Sequence, residues 1–222
     1  MERSSTPQRE PLFKGRSGPV EMSARYRLFR RTMILLGRFF LGFEFHGAQH
    51  VPKEGPLVVA ANHHRFFDPV FVCMAVPRRL QWMAKKELFA PPLHRFFYFI
   101  GSFPVDREGG GRAAIRDALK FLAAGWALGI FPEGTRQRDH ASGEAKSGAV
   151  MLAIRGNAPV LPVFVGRIPG PVARLRGEKF STYVGRPINI DNTIRGGRAY
   201  REAADDILRS IYALPEERGS GG

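Results

Sequence analysis

The sequence predicts an α/β fold with a central, mostly parallel sheet flanked by helices. Short apolar runs typical of buried strands, such as residues 57–61 and 126–131, alternate with segments whose apolar residues recur at helical spacing. His63 follows the first run by two residues, and a helical pattern then begins at Asp68 and Pro69. Open parallel sheets carry their functional groups at the carboxyl ends of their strands, so this junction is the first candidate site.

The remaining elements follow from the same patterns. We predict strands over residues 43–46 (an edge strand), 57–61, 80–84, 103–107, 126–131, 158–165 and 180–184. We predict helices over residues 24–41, 68–76, 94–100, 112–124, 148–154 and 199–212. Two prolines interrupt the run at 158–165, which predicts an edge or bent strand there. Residues 137–147 are polar and contain glycine and serine, which predicts a mobile loop over the site.

The chain divides into three regions by composition. Residues 1–20 are polar and lack the apolar core of a secretory signal, which predicts a disordered tail. Residues 21–45 are predicted to form a basic amphipathic helical element, and residues 46–215 a single α/β domain. Cys73 is the only cysteine, so an internal disulfide is impossible and a reducing compartment is expected.

The charge balance is strongly basic. The chain has 34 lysines and arginines against 20 aspartates and glutamates, a formal net charge of +14. Such an excess predicts an anionic partner: nucleic acid, an acidic membrane surface or a phosphorylated substrate. Nothing in the sequence resembles a helix-turn-helix, a zinc finger or an RNA-recognition motif, which argues against nucleic acid.

Residues 24–41 interleave arginines with large apolar side chains. Their uninterrupted apolar part, residues 33–36, is far shorter than the roughly 20 residues that a membrane-spanning helix needs. The segment therefore predicts a helix that lies in the lipid interface of a membrane. The alternative is a helix that packs on the domain and keeps its arginines in water.

His63 and Asp68 form the candidate catalytic pair. Five residues on a continuous helix differ by about 140° in direction, so the two side chains can meet only if residues 62–67 turn back. Asp68 could then accept the proton of one imidazole nitrogen, which fixes the tautomer and leaves the other nitrogen as a base. The alternative is an aspartate that only caps the helix, with Pro69 at the first helical position. His64 is expected to have a packing or hydrogen-bonding role instead.

Further polar residues follow the predicted strands and would share one edge of a parallel sheet: Lys85, Arg107, Glu133, Gly134, Thr135 and Arg136. Arginine can bond two phosphate oxygens at once, so a base beside such cations predicts chemistry on a phosphorylated, hydroxyl-bearing substrate. The alternatives are structural. The arginines could be solvated surface residues, Glu133 could pair with Arg136, and the glycine and threonine could form a tight turn. No well-spaced third ligand accompanies the histidines and Asp68, so we predict no metal site.

Four blocks of sequence occur in order along the chain. They are residues 62–68 (Asn-His-x-x-x-x-Asp), 101–107 (Gly-Ser-Phe-Pro-Val-Asp-Arg), 131–136 (Phe-Pro-Glu-Gly-Thr-Arg) and 160–163 (Val-Leu-Pro-Val). Together they resemble the blocks of the 1-acylglycerol-3-phosphate acyltransferase family of glycerolipid acyltransferases. The third block matches almost letter for letter, and the resemblance covers roughly residues 25–190.

The resemblance implies a glycerolipid acyltransferase-like domain over residues 46–215 and a reaction without a covalent acyl-enzyme. His63, oriented by Asp68, would remove the proton from the free hydroxyl of lysophosphatidic acid. The hydroxyl would attack the thioester of an acyl-coenzyme A or acyl carrier protein co-substrate and form phosphatidic acid. No cofactor is expected, and Cys73 need not be a nucleophile.

The resemblance also implies how the substrates are held. Lys85 and Arg136 would contact the phosphate of the acceptor with Arg107 assisting, and the remainder of the third block, Glu133 to Thr135, would help to bind substrate. Backbone N–H groups near the third or fourth block would stabilise the oxyanion. The N-terminal helical element would lie on a membrane with anionic lipids, at the cytoplasmic face of the cell membrane, which makes the protein peripheral or monotopic.

Some positions depart from the family pattern. Ala61 stands where many members have serine or threonine, His64 and Arg65 stand where a Gln-Ser type of pair is common, and Pro104 replaces a β-branched residue. These positions leave the acceptor open, so the second hypothesis is another lysolipid, such as lyso-ornithine lipid or a glycolipid. The third hypothesis is a non-catalytic, basic membrane-binding protein, which would have no need for a base paired with a carboxylate.

Overall fold

The computed structural model describes residues 22–105, 112–134 and 145–219. The strands in this part of the chain are β1 (Phe43–His46), β2 (Leu57–Ala61), β3 (Leu80–Lys85), β4 (Ser102–Val105), β5 (Ala127–Ile130), β6 (Val160–Val165) and β7 (Phe180–Val184). The helices are α1 (Ala24–Leu41), α2 (Asp68–Ala75), α3 (His94–Phe99), α4 (Arg112–Ala123), α5 (Gly148–Arg155), α6 (Pro171–Leu175) and α7 (Gly197–Gly219). Two short 3₁₀ helices cover Ala48–His50 and Lys86–Phe89.

The strands form one sheet in the order β1-β7-β6-β2-β5-β3-β4. Every neighbouring pair is parallel except β6 and β7, which are antiparallel. The predicted α/β fold with a mostly parallel sheet is therefore confirmed, and β1 lies at an edge as expected. Strands β2 to β6 end at the same edge of the sheet, which we call the site edge, whereas β1 and β7 begin there and end at the opposite edge.

The position of β6 corrects one prediction. Its prolines predicted an edge or bent strand, and the edge alternative is wrong, because β6 lies inside the sheet between β2 and β7. The carbonyl of Pro162 accepts a hydrogen bond from the N–H of Gly185, the residue after β7, at 2.9 Å. In an extended residue the N and the C=O face the same neighbouring strand. The C=O of Pro162 faces Gly185 at the end of β7, so the position of its missing N–H also faces that side and not β2. The ladder between β6 and β2 is therefore complete.

Both faces of the central strands are buried. Leu57, Val59 and Ala61 of β2 pack into a cluster with α2, while Val58 and Ala60 pack into a cluster with α4, α5 and α7. All five side chains are fully buried. This two-sided burial explains why the run is continuously apolar instead of alternating, as is usual for a parallel sheet covered by helices.

Helix α1 has the predicted bounds and is anchored to α2. Ser23 caps its first turn by accepting a backbone N–H, and Gly42 ends it in the left-handed region at φ 60°. The guanidinium of Arg30 donates to the carbonyls of Cys73 and Met74, at 3.0 and 2.6 Å. In the part of the chain that the structure describes, no helix has the length and apolarity needed to cross a membrane.

The outer face of α1 is apolar and basic. Its exposed large apolar side chains are Leu28, Leu35, Leu36, Phe39 and Phe40, and its exposed arginines are Arg25, Arg27, Arg31 and Arg38. The helix therefore packs on the domain along one face, as one interpretation held, and leaves an apolar surface uncovered on the other.

The other boundaries differ from the predictions in small ways. Helix α7 begins at Gly197 and ends at Gly219, whereas residues 199–212 were predicted, and α6 was not predicted at all because its five residues are too few to show a period. Residues 1–21, 106–111 and 135–144 lie outside the described part of the chain, and so do the predicted tail and most of the predicted loop 137–147. The bounds of the three regions at residues 1–20, 21–45 and 46–215 stay predictions.

Candidate active site

Asn62 marks the point where the chain leaves the sheet. Its buried side chain donates from Nδ2 to the carbonyl of Val165 at 2.9 Å and accepts the N–H of the same residue at Oδ1, at 2.6 Å. These two bonds replace those that one more residue of β2 would have made, so β6 stays satisfied. An amide suits this position because it carries both a donor and an acceptor.

The following loop (residues 62–67), which we call the catalytic loop, turns back and brings His63 to Asp68. Nδ1 of His63 lies 3.2 Å from Oδ2 of Asp68, which confirms that the two side chains meet. The carboxylate is fully buried, and the same oxygen accepts the backbone N–H groups of His64 and Arg65, at 2.6 Å each. These three donors offset the cost of removing the carboxylate from water.

The structure corrects the predicted role of Asp68 as a helix cap. Helix α2 begins at Asp68, and Phe67 occupies the cap position. The carboxylate bonds the N–H groups of the preceding loop instead of those of the first helical turn, because the loop folds back over it. Asp68 therefore orients the histidine and fixes the loop, while Pro69 follows as the second helical residue.

The bond to Asp68 leaves the second ring nitrogen of His63 available. When Nδ1 carries the proton that the carboxylate accepts, Nε2 has a free lone pair and can act as a base. The His63 side chain is 16% exposed and lies in the wall of the large cavity described below. The arrangement can therefore remove a proton from a group bound in that cavity.

A stack of three aromatic rings fixes the plane of the imidazole. The ring of His63 lies on Phe131, with centroids 4.0 Å apart and planes 17° apart, and Phe131 lies on Trp82 at 5.0 Å and 19°. The indole N–H of Trp82 donates to Sγ of Cys73 at 3.4 Å. Gly129 makes room for the indole, since a Cβ there would lie 2.5 Å from its ring carbons. His63 is thus held by a hydrogen bond at its edge and by stacking on its face.

Glu133 holds the backbone of the same histidine. Its side chain is 3% exposed; Oε2 accepts the N–H of His63 at 3.1 Å, and Oε1 accepts the hydroxyl of Tyr212 at 2.6 Å. Burial and the neighbouring Glu133 carboxylate raise the pKa of the Tyr212 phenol, so the phenol stays a donor at neutral pH. Both oxygens of Glu133 are therefore used by protein groups, and its contact with substrate stays a prediction.

Gly134 forms the turn after Glu133. Its φ of +70° lies in the left-handed region, and its N–H donates to the carbonyl of Phe131 at 2.9 Å. A Cβ at this position would lie 2.6 Å from Cδ and Cε of Lys146. The glycine therefore permits the turn and lets the Lys146 side chain lie across it, beside the candidate site.

A cavity of about 1520 Å³ opens in front of His63. Its walls include residues of the catalytic loop, the ends of β3 and β5, and Lys85, which is exposed at the end of β3. Helices α4 and α5 also line the cavity, with the apolar side chains of Ile115, Leu119 and Met151. The cavity can hold a long apolar chain together with a polar group near the histidine.

Sequence reasoning missed four cations of this cavity: Arg116, Lys120, Lys146 and Arg155. The spacing of four residues between Arg116 and Lys120 places both on one face of α4, and this pattern was visible in the sequence. It also missed Tyr212 and Trp82, whose partners lie far away in sequence. Arg107, Thr135 and Arg136 lie outside the residues that the structure describes, so their predicted phosphate and substrate contacts stay predictions.

Residues 22–105, 112–134 and 145–219 contain no set of ligands for a metal ion. No group of three or more His, Cys, Asp and Glu side chains there could hold a metal ion. Cys73 is a free, buried thiol whose pKa is raised by burial, and it does not line the cavity.

A parallel sheet that presents a histidine–carboxylate pair to a long cavity defines an enzyme that activates a bound hydroxyl or similar group. Comparison with protein families makes this class specific. Residues 42–166 match the family model described as Acyltransferase. The chain belongs to this family, and its reaction is therefore an acyl transfer.

Individual relatives agree with this assignment. The 1-acyl-sn-glycerol-3-phosphate acyltransferase of Bacillus subtilis (strain 168) is 32% identical over 151 residues, which cover 67% of this chain and 74% of that protein. The enzyme of the same name from Streptococcus pneumoniae is 28% identical over 181 residues, which cover 78% and 66%. The alpha form from Homo sapiens is 30% identical over 139 residues, and the match covers 60% of this chain and about half (49%) of the human protein.

A solved structure shows the same fold. The crystal structure of the 1-acyl-sn-glycerophosphate (LPA) acyltransferase PlsC from Thermotoga maritima superposes with a TM-score of 0.64 at 21% identity. The superposition covers 93% of this chain and 87% of that one. The predicted glycerolipid acyltransferase-like architecture is thus confirmed at the level of the fold.

Proposed function

We propose that this enzyme transfers a fatty acyl group to the free hydroxyl of lysophosphatidic acid and so forms phosphatidic acid. The observation that carries the proposal is the pair of His63 and Asp68, joined at 3.2 Å in the wall of the long cavity. The names of the relatives support the acceptor, since all three are 1-acyl-sn-glycerol-3-phosphate acyltransferases.

The reaction follows from this geometry. Nε2 of His63 takes the proton of the acceptor hydroxyl while the hydroxyl oxygen attacks the carbonyl carbon of an acyl thioester. The tetrahedral intermediate then expels the thiolate, so that a C–O bond forms and a C–S bond breaks, and the thiolate takes the proton from the imidazolium. Asp68 stabilises the imidazolium through Nδ1, as a carboxylate does in other histidine-based sites. Cys73 has no part, because its thiol is buried away from the cavity.

The walls of the cavity suit both the acyl chain and the phosphate group of the substrates. Ile115, Leu119 and Met151 supply apolar surface for an acyl chain, and Lys85 and Lys146 supply positive charge near the catalytic loop. Each ammonium group can bind one phosphate oxygen of the acceptor. Arg107 and Arg136 remain our proposed bidentate contacts to the same phosphate.

The other substrates and partners follow from the same proposal. The acyl donor is acyl-coenzyme A or acyl-acyl carrier protein, and the reaction uses no further cofactor. We infer that the exposed aromatic side chains and arginines of α1 bind a membrane surface with anionic lipids, since a basic helix with an apolar face is typical of interfacial binding. The protein would then be peripheral or monotopic at the cytoplasmic face of the cell membrane and would have no nucleic-acid partner.

Turnover of competing acceptors tests the proposal. Purified protein in detergent is supplied with acyl-coenzyme A or acyl-acyl carrier protein and with lysophosphatidic acid, lyso-ornithine lipid or a lyso-glycolipid, and the product lipids are separated. We expect lysophosphatidic acid to be preferred, and His63→Ala to lower kcat about 1,000-fold because it removes the general base. His50→Ala, at the opposite edge of the sheet, is the matched control. A preference for lyso-ornithine lipid would overturn the acceptor, and full turnover by His63→Ala would overturn the mechanism.

A further inference from the structure

Residues 166–179, between β6 and β7, carry an apolar tip that the active site does not use. Helix α6 lies in this segment, and its Val172 and Leu175 side chains are 62% and 89% exposed. The exposed fraction of Leu175 is the largest among the big apolar side chains of the described residues. Apolar surface of this size gains free energy when it leaves water, so the tip is suited to a partner that offers an apolar environment.

Basic side chains lie close to the tip in the sequence. The segment has four of them (Arg167, Arg174, Arg176 and Lys179) against the single acidic side chain of Glu178. Three of the four are exposed, Arg174 is half-buried, and Lys179 forms an ion pair with Glu44 of β1. Exposed apolar side chains with arginines close by in the sequence match a surface that is apolar inside and anionic at its boundary, which describes the interface of an anionic bilayer.

The segment lies at the site edge and adjoins α1. It begins where β6 ends, and the guanidinium of Arg65 in the catalytic loop donates to the carbonyl of Gly166 at 3.3 Å. A Cβ on Gly42, at the end of α1, would lie 3.9 Å from Nη2 of Arg174 and 3.9 Å from Cα of Lys179. The tip is therefore continuous with the end of α1, where two phenylalanines are 78% and 60% exposed.

We propose that residues 166–179 are a second membrane contact beside α1. Val172 and Leu175 insert among the acyl chains, and the neighbouring arginines bind lipid phosphates, so that the site edge faces the bilayer from which the acceptor lipid comes. This inference rests on the proposed function, since a lipid acceptor is what requires a bilayer at this edge. A second copy of the chain fits less well, because pairing two such tips would bring the same cations face to face.

Two substitution pairs test the proposal on the full chain. Val172→Ser with Leu175→Ser should weaken sedimentation with phosphatidylcholine–phosphatidylglycerol vesicles about tenfold, because apolar insertion is lost. Arg167→Gln with Arg176→Gln should weaken it about fivefold for each charge, and only when phosphatidylglycerol is present. Arg186→Gln with Arg201→Gln, which lie beyond β7, is the matched control and should bind as wild type does.

A gain-of-function variant gives an independent readout. Leu175→Trp should bind vesicles more tightly, and its tryptophan emission should shift to shorter wavelength when vesicles are added, because indole favours the membrane interface. The proposal would be overturned if the variant Val172→Ser with Leu175→Ser bound vesicles as tightly as wild type and the emission of Leu175→Trp did not shift. A change in oligomeric state by the first pair without any change in vesicle binding would overturn it in favour of a self-association surface.

Activity in detergent separates this inference from the proposed function. With lysophosphatidic acid dispersed in micelles, the first pair should turn over as fast as wild type, whereas on vesicles its rate should fall with its binding. If wild type does not turn over lysophosphatidic acid in micelles, the proposed acceptor is wrong. The vesicle-binding measurements still test the membrane contact in that case. An equal loss of rate by the first pair in micelles and on vesicles would instead show that the tip acts through the fold of the site, against the proposal.

Discussion

Replacing Tyr212 by phenylalanine should slow turnover without weakening substrate binding. The Tyr212 hydroxyl donates to Glu133, whose other oxygen accepts the N–H of His63. The substitution takes one bond from a charged group that is 3% exposed, which costs about 2 kcal/mol. We expect the Glu133 carboxylate to turn toward another donor, which breaks its bond to the N–H of His63 and lets the catalytic loop move. A displacement of the base by about 1 Å lowers kcat up to about 100-fold.

Steady-state kinetics with both substrates measure the effect. Tyr212 does not line the cavity, so both KM values should stay as in wild type, and the pH profile should keep its shape because Asp68 still bonds the imidazole. Tyr183→Phe, which removes a hydroxyl from β7, is the matched control. In a double-mutant cycle with Glu133→Gln, the losses should be far from additive, since the two residues act through one bond. Wild-type kcat for Tyr212→Phe, or a change confined to KM, would refute the reasoning.

Three further predictions concern stability. Gly129→Ala should cost about 2 kcal/mol and lower kcat, because the new methyl group displaces Trp82 and with it the ring stack; thermal unfolding and kinetics measure the two effects. Arg30→Gln should cost about 2 kcal/mol in urea unfolding, because two carbonyls at the end of α2 lose their donor. Above about pH 10 the free energy of unfolding should fall, because burial raises the pKa of the phenols of Tyr26 and Tyr212. The phenols ionise first in the unfolded chain, so their contribution is complete at lower pH and is lost as the pH rises.

Each of these predictions has its own control. Gly148→Ala adds a methyl group that meets only Cδ1 of Ile130 at 3.5 Å, so it should be tolerated; equal losses would contradict the crowding argument. Arg31→Gln removes an exposed arginine beside Arg30 and should leave urea unfolding unchanged. A variant with both phenols removed should show a smaller alkaline decline, because, of the described residues, only the buried thiol of Cys73 would still contribute to it, and an unaltered decline would contradict the role of the phenols.

The architecture was predictable because most elements are encoded locally. The run at 57–61 is buried on both faces and is therefore apolar throughout, and α1 carries both a cap at Ser23 and a glycine at its end. The interior place of β6 was not predictable from its prolines, because it depends on Pro162 facing Gly185, which belongs to another part of the chain. Helix α6 escaped prediction because its five residues are shorter than two helical turns.

The active site also has a part that the sequence predicts and a part that it does not. The spacing of His63 and Asp68 showed that the two side chains can meet only if residues 62–67 turn back, and the structure contains this turn. The supports of the histidine were not predictable. The sequence predicted a pairing of Glu133 with Arg136 or a contact with substrate, and both stay predictions; it did not predict the bonds of Glu133 to the N–H of His63 and to the phenol of Tyr212. Such partners come together only through the tertiary fold and leave no local pattern.

The distances along the chain between the groups that support His63 have a consequence for folding. Asn62 bonds a residue 103 positions away, Glu133 reaches back 70 positions to His63, and Tyr212 reaches back 79 positions to Glu133. Contacts of such long range form late, since their loop-closure entropy is overcome only when the intervening chain is ordered. During refolding, helical signal should therefore return before activity does. A partial opening that detaches α7 alone should abolish turnover while the sheet remains intact.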